Sequence, residues 1–508
     1  MKRIIASILS FIMICTCLAA CSEKSEEKTT ADITADITTE ETVFDGSAAA
    51  VSSEHYTITN AMLSYFFYSG YYSEMSQYGS MYQQYYGLDT SKSLREQEYA
   101  EGKTWYSYFL DNAKTNASDV LHLLEAAREE GKENREINTS DIDAFISGIK
   151  SQAESDGASL DDYLIQYFGK GVTEDVIRSA LEMYTRAYTY YEDVYKAMDY
   201  TDEECREYFE ENKSEFMLCD YYSYTFSAQL PEDDGTSTST DADEVDTTDP
   251  DVIAAYEDAK QKAQALASHS GSAEDFGSEL RKLLIADYEA ENPGEPITDE
   301  IIEELVEKRL TEGAKAIGED NERVAWTSGD RKAGDTTVID SGSGRYTVYC
   351  IVKPAYRQEY VTKNVRHILF KTDNYESSDE AKAACDAVYA ELESGTDKSQ
   401  EHFAEVAKEK SQDTGSKANG GLYENVVRGT MVAEFEDWLY DEARAVGDIG
   451  IVESSYGYHI MYFVGDGDIA WKNTAKSGLR VNELQELEEQ YTEKYKLTVS
   501  DSIPYFMD

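Results

Sequence analysis

The feature that most constrains the fold of this chain is an ordered series of short motifs in residues 361–466. The series opens at residues 365–370 and closes at residues 456–461, and each end carries one histidine, His367 and His459. The positions between them follow in a fixed order: 403–407, 411–413, 420–422, Met431 with Phe435, and 447–450. This order specifies one architecture for about a fifth of the 508 residues.

This series resembles the parvulin-type peptidyl-prolyl isomerase domain. The resemblance implies an α+β fold in which helices surround a four-stranded antiparallel sheet. It places His367 and His459 on neighbouring antiparallel strands, where their rings face each other. It also implies cis/trans isomerisation of Xaa-Pro peptide bonds, with no cofactor and no metal ion.

The same resemblance assigns roles to six residues of this chain. The paired imidazoles would form the floor of the site, and Asp413 stands where some members carry cysteine and would tune the local field. The proline pocket would be lined by three apolar side chains, Leu422, Met431 and Phe435.

Three positions need separate comment. Tyr423 follows Leu422 where a glycine is typical of the family, and Tyr456 replaces a small polar residue seen in some members. Arg366 is a further candidate contact, or a strand residue that only helps to position the fold. None of these features removes the predicted pocket.

The first twenty residues have the pattern of a bacterial lipoprotein signal. Lys2 and Arg3 precede an apolar run that is too short for a comfortable membrane span, and a lipobox ends at Cys21. We expect residues 1–20 to be removed and Cys21 to be lipid-modified; the alternative is an ordinary secretory signal with a chance cysteine. The predicted location is the extracytoplasmic face of the cell membrane.

Residues 21–54 contain almost no large apolar side chain, which predicts a disordered tether. The formal net charge of the whole chain is −55, which makes nucleic acid an improbable partner. Such a charge favours encounter with basic, unfolded polypeptides, or it simply keeps the protein soluble.

Residues 55–216 show helical periodicity and predict a helical lobe. Its last helix has Thr201 as N-cap and Glu204 at the capping-box position. This helix resembles the linker helix of PrsA-type and SurA-type foldases, in which a C-terminal helix, here within residues 467–508, completes the helical lobe. The tyrosine-rich stripes of the lobe fit either a client-binding surface or a plain core.

Residues 217–356 predict a second, degenerate copy of the isomerase domain. Residues 334–349 align without a gap on 447–462, and residues 222–226 fall on 366–370. In this alignment Ser223 replaces His367 and Tyr346 replaces His459, so we expect no isomerase activity. The alternative is an unrelated α+β insert.

The family arrangement also suggests a disulfide in this copy. Cys219 lies four residues before Ser223, and Cys350 lies four after Tyr346. If the two strands pair as the histidine strands do, these cysteines are cross-strand partners; otherwise they are two buried thiols. The four cysteines after Cys21, namely Cys205, Cys219, Cys350 and Cys385, form no CxxC motif and no Cys/His cluster with metal-site spacing.

Together these features predict a membrane-anchored extracytoplasmic foldase, in which residues 357–466 isomerise prolyl bonds of newly exported, unfolded proteins. The first rival is a holdase chaperone whose two parvulin-like domains only bind clients. A solute-binding lipoprotein would need alternating strands and helices, which this chain lacks. Clients and oligomeric state stay open.

Overall fold

The computed structural model describes residues 44–230 and 247–506. They form two compact units: residues up to 199 together with residues from 479 onward, and residues 200–478. The predicted signal peptide, the lipidation site Cys21 and most of the predicted tether lie outside the described residues.

The first unit is mainly helical. Its strands are β1 (Ala49–Ser52), β2 (Thr57–Thr59), β3 (Glu98–Ala100) and β4 (Lys103–Thr104). Its helices are α1 (Asn60–Tyr86), α2 (Trp105–Glu129), α3 (Ser140–Ser155), α4 (Leu160–Phe168) and α5 (Glu174–Ala197). A three-stranded sheet is completed by a strand from the end of the chain (Thr498–Val499), which pairs with β1.

Hydroxyl side chains begin most of these helices. Thr59, Thr104, Ser159 and Thr173 each accept a hydrogen bond from a backbone N–H in the first turn of the following helix. Such N-caps satisfy donors that have no partner within the helix. The sequence therefore specifies the starts of α1, α2, α4 and α5 locally.

The tyrosine- and phenylalanine-rich stripe of α1 divides into two parts. Its first part is core: Tyr65 and Phe67 are fully buried, and Tyr65 lies 5.2 Å from the ring of Phe168. Its second part is different, because Tyr85 and Tyr86 are 74% and 55% exposed. The first half of the stripe is therefore core, and the second half presents exposed aromatic side chains.

The second unit begins with α6 (Asp202–Glu211) and the short helix α7 (Lys213–Phe216). The predicted capping box is confirmed: the Thr201 side chain accepts from the Glu204 N–H, and the Glu204 carboxylate accepts from the Thr201 N–H. Two α+β domains follow.

In its described residues the first domain contains four strands: β5 (Leu218–Ser227), β6 (Leu310–Lys315), β7 (Thr336–Asp340) and β8 (Arg345–Tyr356). Its helices are α8 (Pro250–Ala267), α9 (Ala273–Glu291), α10 (Asp299–Glu307) and α11 (Glu322–Thr327). The second domain contains β9 (Val361–Lys371), β10 (Leu422–Val426), β11 (Ile449–Ser454) and β12 (Gly457–Ile469). Its helices are α12 (Ser378–Ser394), α13 (Gln400–Lys410) and α14 (Ala433–Leu439), and α15 (Ala470–Lys494) follows it.

The two domains have the same sheet topology. The strand order is β6-β5-β8-β7 in the first and β10-β9-β12-β11 in the second, and every pair of neighbours is antiparallel. The first and last strands in sequence therefore form the centre of each sheet. The α+β class and the four-stranded antiparallel sheets predicted from the sequence are confirmed.

The gap-free alignment of the two copies is wrong by one residue in β8. Asp340 pairs with Tyr346, whereas its equivalent Glu453 pairs with Tyr458 rather than with His459. The turn between β7 and β8 is one residue longer, and its backbone has positive φ at three successive residues, 342–344. The position of His459 is therefore taken by Thr347, not by Tyr346.

The predicted disulfide between Cys219 and Cys350 is wrong. Both thiols are free and buried. Cys350 lies opposite Tyr222 on β5, while Cys219 pairs with Ala314 on the edge strand β6. The cysteines would face each other only if Ser223 lay opposite Tyr346. Ser223 instead lies opposite Tyr349, three residues further along β8, and the register shifts between residues 218 and 221 increase the separation.

Candidate active site

His367 and His459 lie on one face of the central strand pair of the second domain. Met461 is directly opposite His367 and Leu369 is opposite His459, so the two histidines are diagonal neighbours. Their ring planes differ by only 19°, with centroids 5.4 Å apart, and the rings meet edge to edge with their Nδ1 atoms 3.2 Å apart. Each histidine is only 4% exposed.

Asp413 reaches the histidines from the loop that follows α13. Ser411 and Gln412 attach this loop to β9: the Leu369 N–H donates to the Ser411 hydroxyl, and the Gln412 N–H donates to the Leu369 carbonyl. The next residue, Asp413, then accepts from His367, with Oδ2 2.9 Å from Nε2.

Two residues that the sequence analysis missed also bind Asp413. Oδ2 accepts from the Tyr423 hydroxyl at 3.0 Å, from the Ser416 N–H at 3.1 Å and from the Ser416 hydroxyl. A third missed residue, Ser454, lies at the other end of the pair, with its Oγ 2.7 Å from His459 Nε2. Serine is too common for the sequence to single out Ser416 and Ser454, and Tyr423 stood out only as a departure from the family pattern.

These contacts define a directed chain of hydrogen bonds. An ionised carboxylate can only accept, so the His367 Nε2–H donates to Asp413. In a neutral imidazole the other nitrogen is an acceptor, so His367 Nδ1 accepts from the Nδ1–H of His459. His459 Nε2 is then an acceptor, and the Ser454 hydroxyl donates to it.

Burial and charge support this arrangement. Burial, followed by the proximity of His367, lowers the pKa of His459 to about 4, so its ring is neutral at neutral pH. Burial alone would raise the pKa of Asp413, but the hydrogen bonds from His367 and Ser416 outweigh it and hold that pKa below its usual value. The site is therefore a buried carboxylate that is hydrogen-bonded to the first of two linked imidazoles.

Aromatic side chains surround the imidazoles. The ring of Phe435 is perpendicular to both histidines, at 5.5 Å from His367 and 5.7 Å from His459. Met431, just before α14, packs against the same apolar cluster as Phe435. The structure thus brings together five of the six residues expected at the site.

Leu422 does not belong to this group. It lies opposite Arg366 in the β10–β9 pair, while Tyr423 lies opposite Val365. Successive strand residues point to opposite faces, so Tyr423 shares the face of the histidines and Leu422 does not. The ring of Tyr423 is 5.5 Å from that of His367 and takes the place predicted for Leu422.

Arg366 also points away from the site, because it neighbours His367 along the strand. Its guanidinium donates to the carbonyls of Asn419 and Gly420. It therefore holds the turn before β10, which is the fold-positioning alternative for this residue. Among the residues that the structure describes, no cluster of His, Cys, Asp and Glu is suited to a metal ion.

Comparison with known proteins identifies the family of the domain that contains this site. Residues 367–465 match the rotamase family model, described as the PPIC-type PPIase domain. This match begins at His367 and includes Asp413, Tyr423, Phe435 and His459. Residues 367–465 are therefore a parvulin-type peptidyl-prolyl isomerase domain.

Parts of the chain are similar to chaperones and foldases. The chain is 32% identical over 125 residues to the chaperone SurA of Alcanivorax borkumensis, covering 24% of this chain and 27% of that protein. It is 28% identical over 225 residues to foldase protein PrsA 3 of Bacillus cereus, covering 44% and 70%. A crystal structure of PrsA from Bacillus cereus is 29% identical, over 29% of this chain and 55% of that one, with a TM-score of 0.18. In the SurA comparison the matched part is about a quarter of the relative's length.

Substitution of Gly421 tests how closely the chain at the start of β10 approaches β9, the strand that carries His367. A Cβ on Gly421 would lie 2.2 Å from the His367 carbonyl oxygen, and its φ is +75°. Gly421→Ala should lower the free energy of unfolding by about 3 kcal/mol, because it adds a backbone clash to the strain. The matched control is Gly429→Ala, where φ is +82° but nothing lies within 4 Å. Urea unfolding that gave equal costs for both variants would contradict the close approach.

The low pKa of His459 predicts a pH dependence. Between pH 6.5 and about 4 the unfolded chain binds a proton at this residue and the folded chain does not. Stability should therefore fall as the pH decreases through that window, by about 3 kcal/mol from this residue. NMR titration of the ring should show His459 neutral at pH 5, and a titration near pH 6.5 would contradict its burial.

Proposed function

We propose that this protein is a peptidyl-prolyl isomerase that assists the folding of exported proteins. The observation that carries the proposal is the hydrogen-bonded series Asp413–His367–His459–Ser454 beneath an aromatic wall. In this arrangement polar groups are oriented beside an apolar surface, which suits a proline ring next to a polar peptide group.

Prolyl isomerisation requires that the peptide be bound in a favourable orientation, and it makes and breaks no covalent bond. Rotation about an Xaa-Pro bond has a barrier of about 18–20 kcal/mol, because amide resonance is lost in the twisted state. A site that binds the twisted state better than either planar state lowers this barrier without making a bond. Phe435, Met431 and Tyr423 would hold the proline ring, and the fixed hydrogen-bond series would present the polar side of the site.

Asp413 acts in this proposal as an anion and not as a nucleophile. Its Oδ2 is occupied by donors from His367, Ser416 and Tyr423. Its charge dictates which nitrogen of each imidazole carries the proton, and so fixes the field that a bound peptide experiences.

The proposed cellular setting rests on the sequence. The signal pattern and the lipobox at Cys21 support a lipid anchor on the extracytoplasmic face of the membrane. In the described part of the chain, no helix has the length and apolar character of a membrane span. The large negative charge would favour encounter with basic, unfolded proteins during export.

Comparing histidine variants with a matched control tests the enzyme proposal. In the full chain, His367→Ala and His459→Ala should each lower kcat/KM for an Xaa-Pro peptide at least about tenfold, because each breaks the buried hydrogen-bond series. His269→Ala, at an exposed histidine of the first domain, should change nothing. The measurement is isomerisation followed by NMR exchange, with circular dichroism to verify folding. A folded wild-type chain that does not accelerate isomerisation would refute the proposal.

A holdase activity is the second candidate, and the exposed half of α1 favours it. Tyr78, Met81, Tyr85 and Tyr86 are 39% to 74% exposed and recur at helical spacing. Residues 75–88 contain no charged side chain, although 29% of the chain is charged. Tyrosine offers large contact area at low entropic cost, so this face suits transient binding of unfolded segments.

Aggregation assays separate the two activities. Tyr85→Ser combined with Tyr86→Ser should weaken suppression of client aggregation several-fold and leave peptide isomerisation intact, because contact area for apolar segments is lost. Ile165→Ser removes another exposed apolar side chain of the first unit and serves as the control. If both variants suppress aggregation as well as the wild-type chain, the exposed half of α1 is not the binding surface.

A further inference from the structure

The Tyr423 side chain has two separate contacts within the isomerase site. Its ring packs against the cluster that contains Phe435, and lies 5.5 Å from the ring of His367. Its hydroxyl donates to Asp413 Oδ2 over 3.0 Å. A phenylalanine could supply the ring contacts, whereas the bond to Asp413 requires the hydroxyl.

The hydrogen bonds of Asp413 differ in whether they join it to its own loop or to the sheet. Those from Ser416 come from the same loop, three residues further on, so they shape the loop but do not attach the carboxylate to the sheet. His367 on β9 and Tyr423 on β10 are the donors from the sheet. Two attachment points on neighbouring strands define where the carboxylate lies relative to both imidazoles.

We infer that Tyr423 is a positioning residue of the isomerase, whose hydroxyl holds the Asp413 carboxylate against His367. This inference rests on the proposed function. It explains why a tyrosine on the histidine face of β10 is compatible with the site although a smaller residue was expected there. Tyr423 acts through Asp413, and the effect passes from Asp413 through His367 and His459 to the Ser454 hydroxyl.

The charges of the two partners are consistent with this role. Burial, followed by the negative charge of Asp413, raises the pKa of Tyr423 to about 12, so the phenol keeps its proton and remains a donor. The carboxylate in turn has a lowered pKa and remains an acceptor. The donor and the acceptor therefore keep their roles at any pH between the titrations of the two groups.

Tyr423→Phe in the full chain is the test, because it removes the hydroxyl and keeps the ring. It should lower kcat/KM for an Xaa-Pro peptide about tenfold, a typical effect of one hydrogen bond to a charged group. It should also raise the pKa of Asp413, measured by carboxyl ¹³C NMR, and move the acid limb of the activity profile to higher pH. Tyr458→Phe, whose hydroxyl binds Ser378 and Glu453 on the other face of the sheet, should do none of these.

A double-mutant cycle distinguishes positioning from a general structural effect. If Tyr423 acts through Asp413, Tyr423→Phe should have little further effect on kcat/KM in an Asp413→Asn background. Equal effects of Tyr423→Phe in both backgrounds, or an unchanged Asp413 titration, would overturn the inference. If Tyr423→Phe fails to fold, Asp413→Asn alone still decides: it should lower the pKa of Tyr423, and an unchanged phenol titration would overturn the contact.

These measurements also separate this inference from the proposed function. A wild-type chain that isomerises no prolyl peptide would refute the proposed function. The NMR titration of Asp413 would then still support or overturn the positioning contact, since it requires a folded site and not a turnover.

Discussion

The pairing of β9 with β12 is the constraint on which the rest of the isomerase site depends. These strands are far apart in sequence but adjacent at the centre of the sheet, and their register brings His367 and His459 to one face. The opposite face supplies Ile368, Phe370 and Ile460 to a core under α12 and α13. One strand pair therefore provides both the hydrophobic stability and the hydrogen-bonded imidazoles, so a change of register would lose both together.

The first domain has the same sheet topology as the second domain but has no histidine at either of the two equivalent positions. Its central pair β5–β8 keeps the topology, the helix-covered face and a buried core around Phe276. On the other face Ser223 and Thr347 stand where the second domain has histidines, and Thr347 shares a hydrogen bond of 2.9 Å with Thr225. Hydroxyl side chains stand in place of the imidazoles, and the sheet topology is the same with either kind of side chain.

The sequence predicts the histidine pair and Asp413 because their motifs are long and ordered, and it predicts the repeat because both ends of the domain recur. It fails where a single residue changes the outcome. One extra residue in the β7–β8 turn moves Thr347 into the place expected for Tyr346, and the same displacement contributes to the error about Cys219 and Cys350. The choice of Leu422 over Tyr423 is also an error of one position, because neighbouring strand residues face opposite sides. Motif order locates elements, but the geometry of turns and bulges decides which side chain reaches the site.

The hydroxyl side chains on this face of the first domain make its response to a fall in pH different from that of the second domain. Ser223, Thr225 and Thr347 carry no group that gains or loses a proton in the pH range of folded proteins. In the second domain, by contrast, His459 has a pKa of about 4, and a proton added to its Nε2 would remove the acceptor of the Ser454 hydrogen bond. On acidification through that pKa, His459 would gain a positive charge, whereas the hydroxyl side chains of Ser223, Thr225 and Thr347 would stay neutral.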